Sequence, residues 1–277
     1  MRVEMRCTME QQVSENNISA GQTSIKKQAS MDYKLLIDTA ALAGTLMLEN
    51  GAEIYRVEET IDYMLKTSGL KTSEAFVVST GIMISLDDPS IDALTVIRRV
   101  NRGATNLNVV AQVNDISRKF YKKVISLEEA FSQLKHLDKT QYPWWLKDIC
   151  TIFVVASFAG MYGGNGYDML ATAIVGIFLA AWLHAGKKIG LNSLIKDLTA
   201  SVVISVMASV MVHIGVGMHI DRIIIGAIMV LVPGAAITNA IRDTLHGDYT
   251  SGNANILQAF AEAAMIALGV YVGLLLL

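Results

Sequence analysis

Glu262 stands inside an otherwise apolar stretch near residues 254–277, with Gln258 one helical turn before it on the same face. Placing an ionisable side chain in a membrane span costs at least ~2.5–3.5 kcal/mol, so such a residue is a candidate for proton coupling. As a carrier, Glu262 loads and releases a proton within the bilayer; as a structural group, it stays protonated and bonds a neighbouring helix. A second candidate group follows Pro233-Gly234, which interrupts the preceding apolar stretch. Proline removes a backbone donor, and broken helices in transporters expose backbone groups to substrate. Asn239, Arg242 and Asp243 come next, and Arg242 has the planar fork that grips a carboxylate by two bonds. The plainer reading of Arg242 is a positive charge at the inner membrane face.

A third group lies far upstream, where Glu53, Arg56, Glu58 and Glu59 fall within two helical turns and Arg98, Arg99 and Arg102 cluster later. One reading is a docking or sensing surface in which the arginines meet anions. The other is a solvated face with intrahelical ion pairs worth ~0.2–0.5 kcal/mol each. The histidines, among them His184, His213 and His246, match no metal-ligand spacing, so no metal or cofactor is expected.

These groups need elements to hold them. A helix crossing ~30 Å of hydrocarbon takes about 20 mostly apolar residues. Five segments qualify, near 144–162, 167–185, 198–217, 220–240 and 254–277. Lys187, Lys188, Lys196 and Arg242 fall in the second and fourth connectors, which places those connectors and the N-terminus inside and the C-terminus outside. Hydrophobic residues make up 52% of the chain and charged residues 17%, against ~25% charged in soluble domains. A multi-pass protein of the cell membrane follows. Stripes of small residues, Ser201/Ser205/Ser209 and Ala259/Ala263/Ala267, suit close helix packing in lipid, and the pairs Gly160/Gly164 and Gly269/Gly273 share the spacing with two members each, a weaker signal.

Before the spans, residues 1–30 are polar, lack an apolar leader core and read as a disordered tail. Residues 31–140 read as an α+β cytoplasmic domain in the order αα, two or three strands, αα. Ile54, Val57, Ile61, Met64 and Leu65 recur at helical spacing after the Gly51 turn. Residues 75–86 alternate with a period of two, placing Phe76, Val78, Ile82, Ile84 and Leu86 on one side, and Gly81 suggests a bulge or a break into two strands. Ser126 and Glu129 form a capping-box pattern.

The stretch Gly51-Ala52-Glu53-Ile54-Tyr55-Arg56-Val57-Glu58-Glu59, the later Asn101-Arg102 and the run Pro233-Gly234-Ala235-Ala236-Ile237-Thr238-Asn239-Ala240-Ile241-Arg242-Asp243 resemble the threonine/serine exporter family over about residues 31–277. The likeness is to the larger-subunit type of a two-part exporter of succinate or amino acids. It implies proton-driven export, and a separately encoded small multi-span membrane subunit of the YjjB type as partner. It also raises the Glu53/Arg56/Glu58 group above a plain solvated face without assigning a role.

No Walker motif, GxSxG, HExxH or dinucleotide fingerprint occurs, so energy must come from an ion gradient and an enzyme is not expected. Nothing in the net charge of −2 points to nucleic acid. Two other readings stand beside the exporter: a membrane-anchored enzyme whose N-terminal domain is catalytic, and a scaffold subunit that does not itself transport.

Overall fold

The computed structural model describes residues 31–101, 103, 105–138 and 142–276, so the polar tail at 1–30 and Arg102 lie outside it. The first helix, α1 (Tyr33–Glu49), starts where the Asp32 carboxylate accepts the Leu35 N–H at 3.0 Å. It stops at Gly51, whose φ of +82° favours glycine and whose added Cβ would stand 2.8 Å from Thr105 Oγ1. Helix α2 (Ile54–Leu65) then folds back along α1 and buries Ile54, Val57, Ile61, Met64 and Leu65. Each such side chain taken fully from water contributes ~1.5–3 kcal/mol.

Three antiparallel strands follow in the order β1 (Thr72–Val78), β2 (Gly81–Asp88), β3 (Ile91–Arg99). Gly81 marks a break rather than a bulge: Val78 pairs with Gly81 across the two-residue turn Ser79-Thr80. The turn shifts the alternation, which corrects the single face read from the sequence. Val77, Ile82, Ile84 and Leu86 are buried against the helices, whereas Phe76 and Met83 pair across the outer face and are exposed. Helices α3 (Leu107–Tyr121) and α4 (Leu127–Lys135) close this core, α4 opening where Ser126 Oγ accepts the Glu129 N–H at 3.2 Å.

A second hydrophobic cluster lies among the later helices. Among the described residues four are long and apolar enough to cross a membrane: α5 (Trp144–Met161), α6 (Gly166–Ile189), α7 (Ser193–His213) and α10 (Tyr249–Leu275). The expected fourth span, 220–240, is not one helix but two, α8 (Ile220–Ile228) and α9 (Gly234–Leu245), so the five-helix bundle becomes four continuous helices and a broken pair. At the break Pro233 has φ −79° and ψ 50°, and the Gly234 N–H bonds Val232 O at 2.8 Å, an inverse γ-turn that ends the helical run. Nine residues of α8 span only ~13 Å, so the break falls about midway along the bundle.

The two pieces pack differently. Helix α8 sits against α5, α6 and α7, where Gly226 lies so close to Ala159 that a Cβ would stand 2.7 Å from its backbone nitrogen. Helix α9 instead packs on the first half of α10, allowed by Gly252, whose added Cβ would fall 2.2 Å from Thr244 Oγ1. The parallel seam between α7 and α10 sets Gly269 against Leu198 and Ser201, and Gly273 against Ser205. Ser201 and Ser205 are buried as their spacing suggests. The alanine stripe does not follow, because Ala259 is buried but Ala263 and Ala267 face outward; the glycine pair occupies the seam instead. Outward-facing Phe153, Phe178, Leu257 and Phe260 present an apolar surface, as lipid contact requires.

Candidate functional site: a junction of two motifs

The turn between α1 and α2 meets the end of α9, so segments about 190 residues apart touch. Arg242 donates from its guanidinium to Glu53 Oε1, and Arg56 Nε lies 3.6 Å from Glu53 Oε2. Asn239 donates to the Gly51 carbonyl at 3.4 Å, and the rings of Tyr55 and His246 stack at 4.1 Å with 3° between planes. Nearby, the Ser79 N–H bonds Ser251 Oγ at 3.2 Å.

Local rules explain the fit. The first amides of a helix have no partner within it. Glu53 occupies the N-cap of α2, yet its side chain makes no cap bond and turns towards Arg242. The amide of Ile54 is capped from the other segment, by Asp243 Oδ1 at 3.3 Å, while Asn255 on α10 donates to Asp243 Oδ2 at 3.2 Å. Asp243 is fully buried, and these donors offset the cost of removing its charge from water.

Burial alone would raise the pKa of Glu53, but the Arg242 and Tyr55 bonds and the Arg56 charge outweigh it and hold the carboxyl below its usual range. Tyr55 moves the opposite way, pushed up by burial and by the Glu53 carboxylate. Glu58 does not join this group. It accepts the Val77 N–H of β1 at 3.0 Å, and burial, together with the charges of Asp248 and Asp62, raises its pKa despite that bond. Asp248 Oδ2 makes no hydrogen bond among the described residues.

Glu262 belongs to a separate cluster. Gln258 Nε2 donates to Glu262 Oε1 at 3.0 Å, which is the expected one-turn pair. Ser193 Oγ lies 3.4 Å from Glu262 Oε1 and 3.5 Å from Asp197 Oδ2, so one hydroxyl sits between two carboxylates. Ser193 is the first residue of α7. Glu262 is therefore level with the end of α7 nearest the N-terminal domain, and the part of α10 before it extends towards that domain. Pro233 and Gly234 stand apart from both clusters, at the break, where no atom lies within 4 Å of a Cβ built on Gly234.

Two acids escaped the sequence reading. Asp197 falls just before the expected span near 198–217 and so in the second connector, although Ser193 and Asp197 at i and i+4 share a helix face. Asp168 starts α6 in a reciprocal capping box with Asn165, a spacing readable after Gly163-Gly164. It is fully buried and accepts the N–H groups of Met218 at 2.8 Å and His219 at 2.9 Å, and His219 Nδ1 at 2.8 Å, tying two connectors at the end of the bundle far from the junction. Among the described residues no group of three His, Cys, Asp or Glu side chains stands within metal-binding reach.

The chain matches the family described as putative threonine/serine exporter over residues 38–277. It is 24% identical over 239 residues, 83% of this chain and 88% of the relative, to a Klebsiella aerogenes protein named probable succinate transporter subunit YjjP. No solved structure matches it. The match takes in both junction motifs and every apolar helix, and the chain belongs to the threonine/serine exporter family.

Proposed function

We propose that this chain is a subunit of an exporter driven by the proton-motive force, moving small carboxylate metabolites such as threonine, serine or a dicarboxylate like succinate out of the cell. Its N-terminal domain is cytoplasmic and its C-terminus outside. Substrate meets the exposed guanidinium of Arg242 at the inner mouth, positioned by its neighbours Asn239 and the buried Asp243, and passes the break at Pro233-Gly234. Glu262, with Gln258 beside it and Ser193 and Asp197 across the seam, carries the proton. The observation that supports this most is the meeting of Arg242 with Glu53 and Arg56, which gathers carboxylate-binding groups at the foot of a broken helix. The membrane part has four continuous helices and a broken pair, and α10 leaves Leu257 and Phe260 facing outward, an apolar face open to lipid or to a membrane partner. A small YjjB-like membrane subunit closes it.

Vesicles containing this chain, the small subunit, or both test the reading. Efflux of labelled threonine or succinate is expected only with both, and stops when the proton gradient is collapsed. Glu262→Gln inserts normally but loses gradient-driven efflux. Undiminished efflux without a gradient would sink the coupling, and full activity of the Gln variant would remove Glu262 from it.

A further inference from the structure

We infer that Glu53 is a built-in occupant of the exporter's carboxylate seat, held on Arg242 by the chain itself and displaced when a metabolite carboxylate arrives from the cytoplasm. The inference rests on the reading that Arg242 lies on the substrate path.

The seat has the parts that recognise a free carboxylate: the guanidinium of Arg242, the guanidinium of Arg56 beside it, and the Tyr55 hydroxyl. Glu53 satisfies all three at once and its side chain is only 9% exposed, whereas those of Arg242 and Arg56 are 54% and 50% exposed. The anion is thus the covered partner and the two cations open to solvent. A ligand can approach the arginines without first dismantling the junction.

As an N-cap, Glu53 makes no side-chain bond to the amides of its own helix, and Asp243 caps the helix in its place. Arg56 on α2 lies 3.6 Å from the carboxylate, and the fit between the motifs adds Arg242 as its second cation. Losing the Glu53 contact leaves the Asn239–Gly51, Ile54–Asp243 and Tyr55–His246 contacts between the two segments, so exchange rearranges the junction without detaching α2 from α9.

Exchange also separates two classes of substrate. An α-amino acid brings an ammonium that the displaced Glu53 can pair with, while a dicarboxylate brings a second negative charge that Glu53 repels. Removing the charge at Glu53 should therefore help a dicarboxylate more than an amino acid.

The test is equilibrium binding of labelled L-threonine, L-serine and succinate to the purified full chain with its small subunit, in the wild type and in Glu53→Gln, Glu53→Asp and Arg242→Gln. Because an occupied seat lowers apparent affinity by the fraction left free, at least one of the three is expected to bind Glu53→Gln about tenfold more tightly than wild type. Glu53→Asp, which keeps the charge on a shorter arm, should fall between. Saturating ligand should also lower the hydrogen-exchange protection of the first turn of α2 in the wild type. If Arg242→Gln binds as the wild type does, Arg242 is not on the path and the reading beneath the inference fails. If Arg242→Gln abolishes binding while Glu53→Gln matches the wild type, the path stands and the surrogate role of Glu53 is overturned. Unchanged α2 protection together with unchanged affinity overturns it as well.

Discussion

Replacing Gly269 by Ala tests how the α7–α10 seam positions Glu262. The new Cβ would lie 2.3 Å from the Leu198 carbonyl oxygen and 2.8 Å from Ser201 Cβ. Carbon and oxygen in contact ordinarily stay ~3.3 Å or more apart, so about 1 Å must be found. A carbonyl inside a helix cannot swing aside, and α10 must therefore back away from α7 by that amount. Overpacking of this kind costs ~1–3 kcal/mol, partly offset by the ~1 kcal/mol helix preference of Ala over Gly, leaving a net loss of up to about 2 kcal/mol. The displacement matters two turns earlier, where the Ser193–Glu262 contact is already 3.4 Å long. Widened by ~1 Å it passes out of hydrogen-bonding range. The variant should melt lower in detergent and lose gradient-driven efflux more than it loses substrate binding. Gly234→Ala is the control, since nothing lies within 4 Å of its Cβ, and it should melt no lower than wild type. If Gly269→Ala kept both its melting temperature and its coupled efflux, the seam would not be what holds Glu262 in place.

Two further outcomes concern the junction. Asp243→Ala removes the acceptor of the Ile54 N–H and one acceptor of Asn255, and a buried donor left without a partner costs ~1–3 kcal/mol; hydrogen exchange should speed up in the first turn of α2 while α5 and α6 stay protected, and equal protection in both proteins would discard the capping role. Glu58, whose pKa is raised, contributes its full stability below the ordinary carboxylate range and loses it as pH climbs through the raised value, whereas Glu53, whose pKa is lowered, withdraws its contribution only in acid, as pH falls through its depressed value. Glu58→Gln keeps an oxygen for the Val77 N–H but removes the charge facing Asp248 and Asp62, so proteolytic protection of α2 and β1 should weaken with rising pH in the wild type and less steeply in the variant, where Asp62 still titrates with a raised pKa; the same slope in both would place the pH dependence elsewhere.

Much of this arrangement is legible in the sequence, and the gaps have physical reasons. The helical period places Ile54 to Leu65 in a core, and polar connectors bound the apolar helices. The strands were harder, because a two-residue turn preserves apparent alternation in the string while reversing which face is inward, as Phe76 and Ile82 illustrate. Pro233 signals the break, but its size depends on how many residues the γ-turn and the bend before it consume, which no local pattern states. Glu262 is visible as an acid among apolar residues. Its depth is not, because hydropathy marks α10 as one long apolar helix while its position is set by where Gly269 and Gly273 lock onto α7. Asp197 was hidden by its neighbour Lys196, which makes the pair look like a solvated connector.

The junction is the case in which neither half predicts the other. Glu53 at an N-cap and Arg242 near a helix C-terminus each have an adequate explanation alone, as a cap and as a charge at the membrane face. Together they form a set in which Asp243 caps α2, Glu53 neutralises Arg242 and Arg56, and Asn239 takes up the Gly51 carbonyl. Drawing the segments fully apart would strip the buried Asp243 of a donor and Glu53 of Arg242, a cost that each partial separation already incurs. Such a network favours being wholly made or substantially rearranged over intermediate slack. The exchange inferred at Arg242 requires a second arrangement of this network, with α9 below the break at Pro233 freed from Glu53, because a ligand moves a helix only by favouring one of two states over the other.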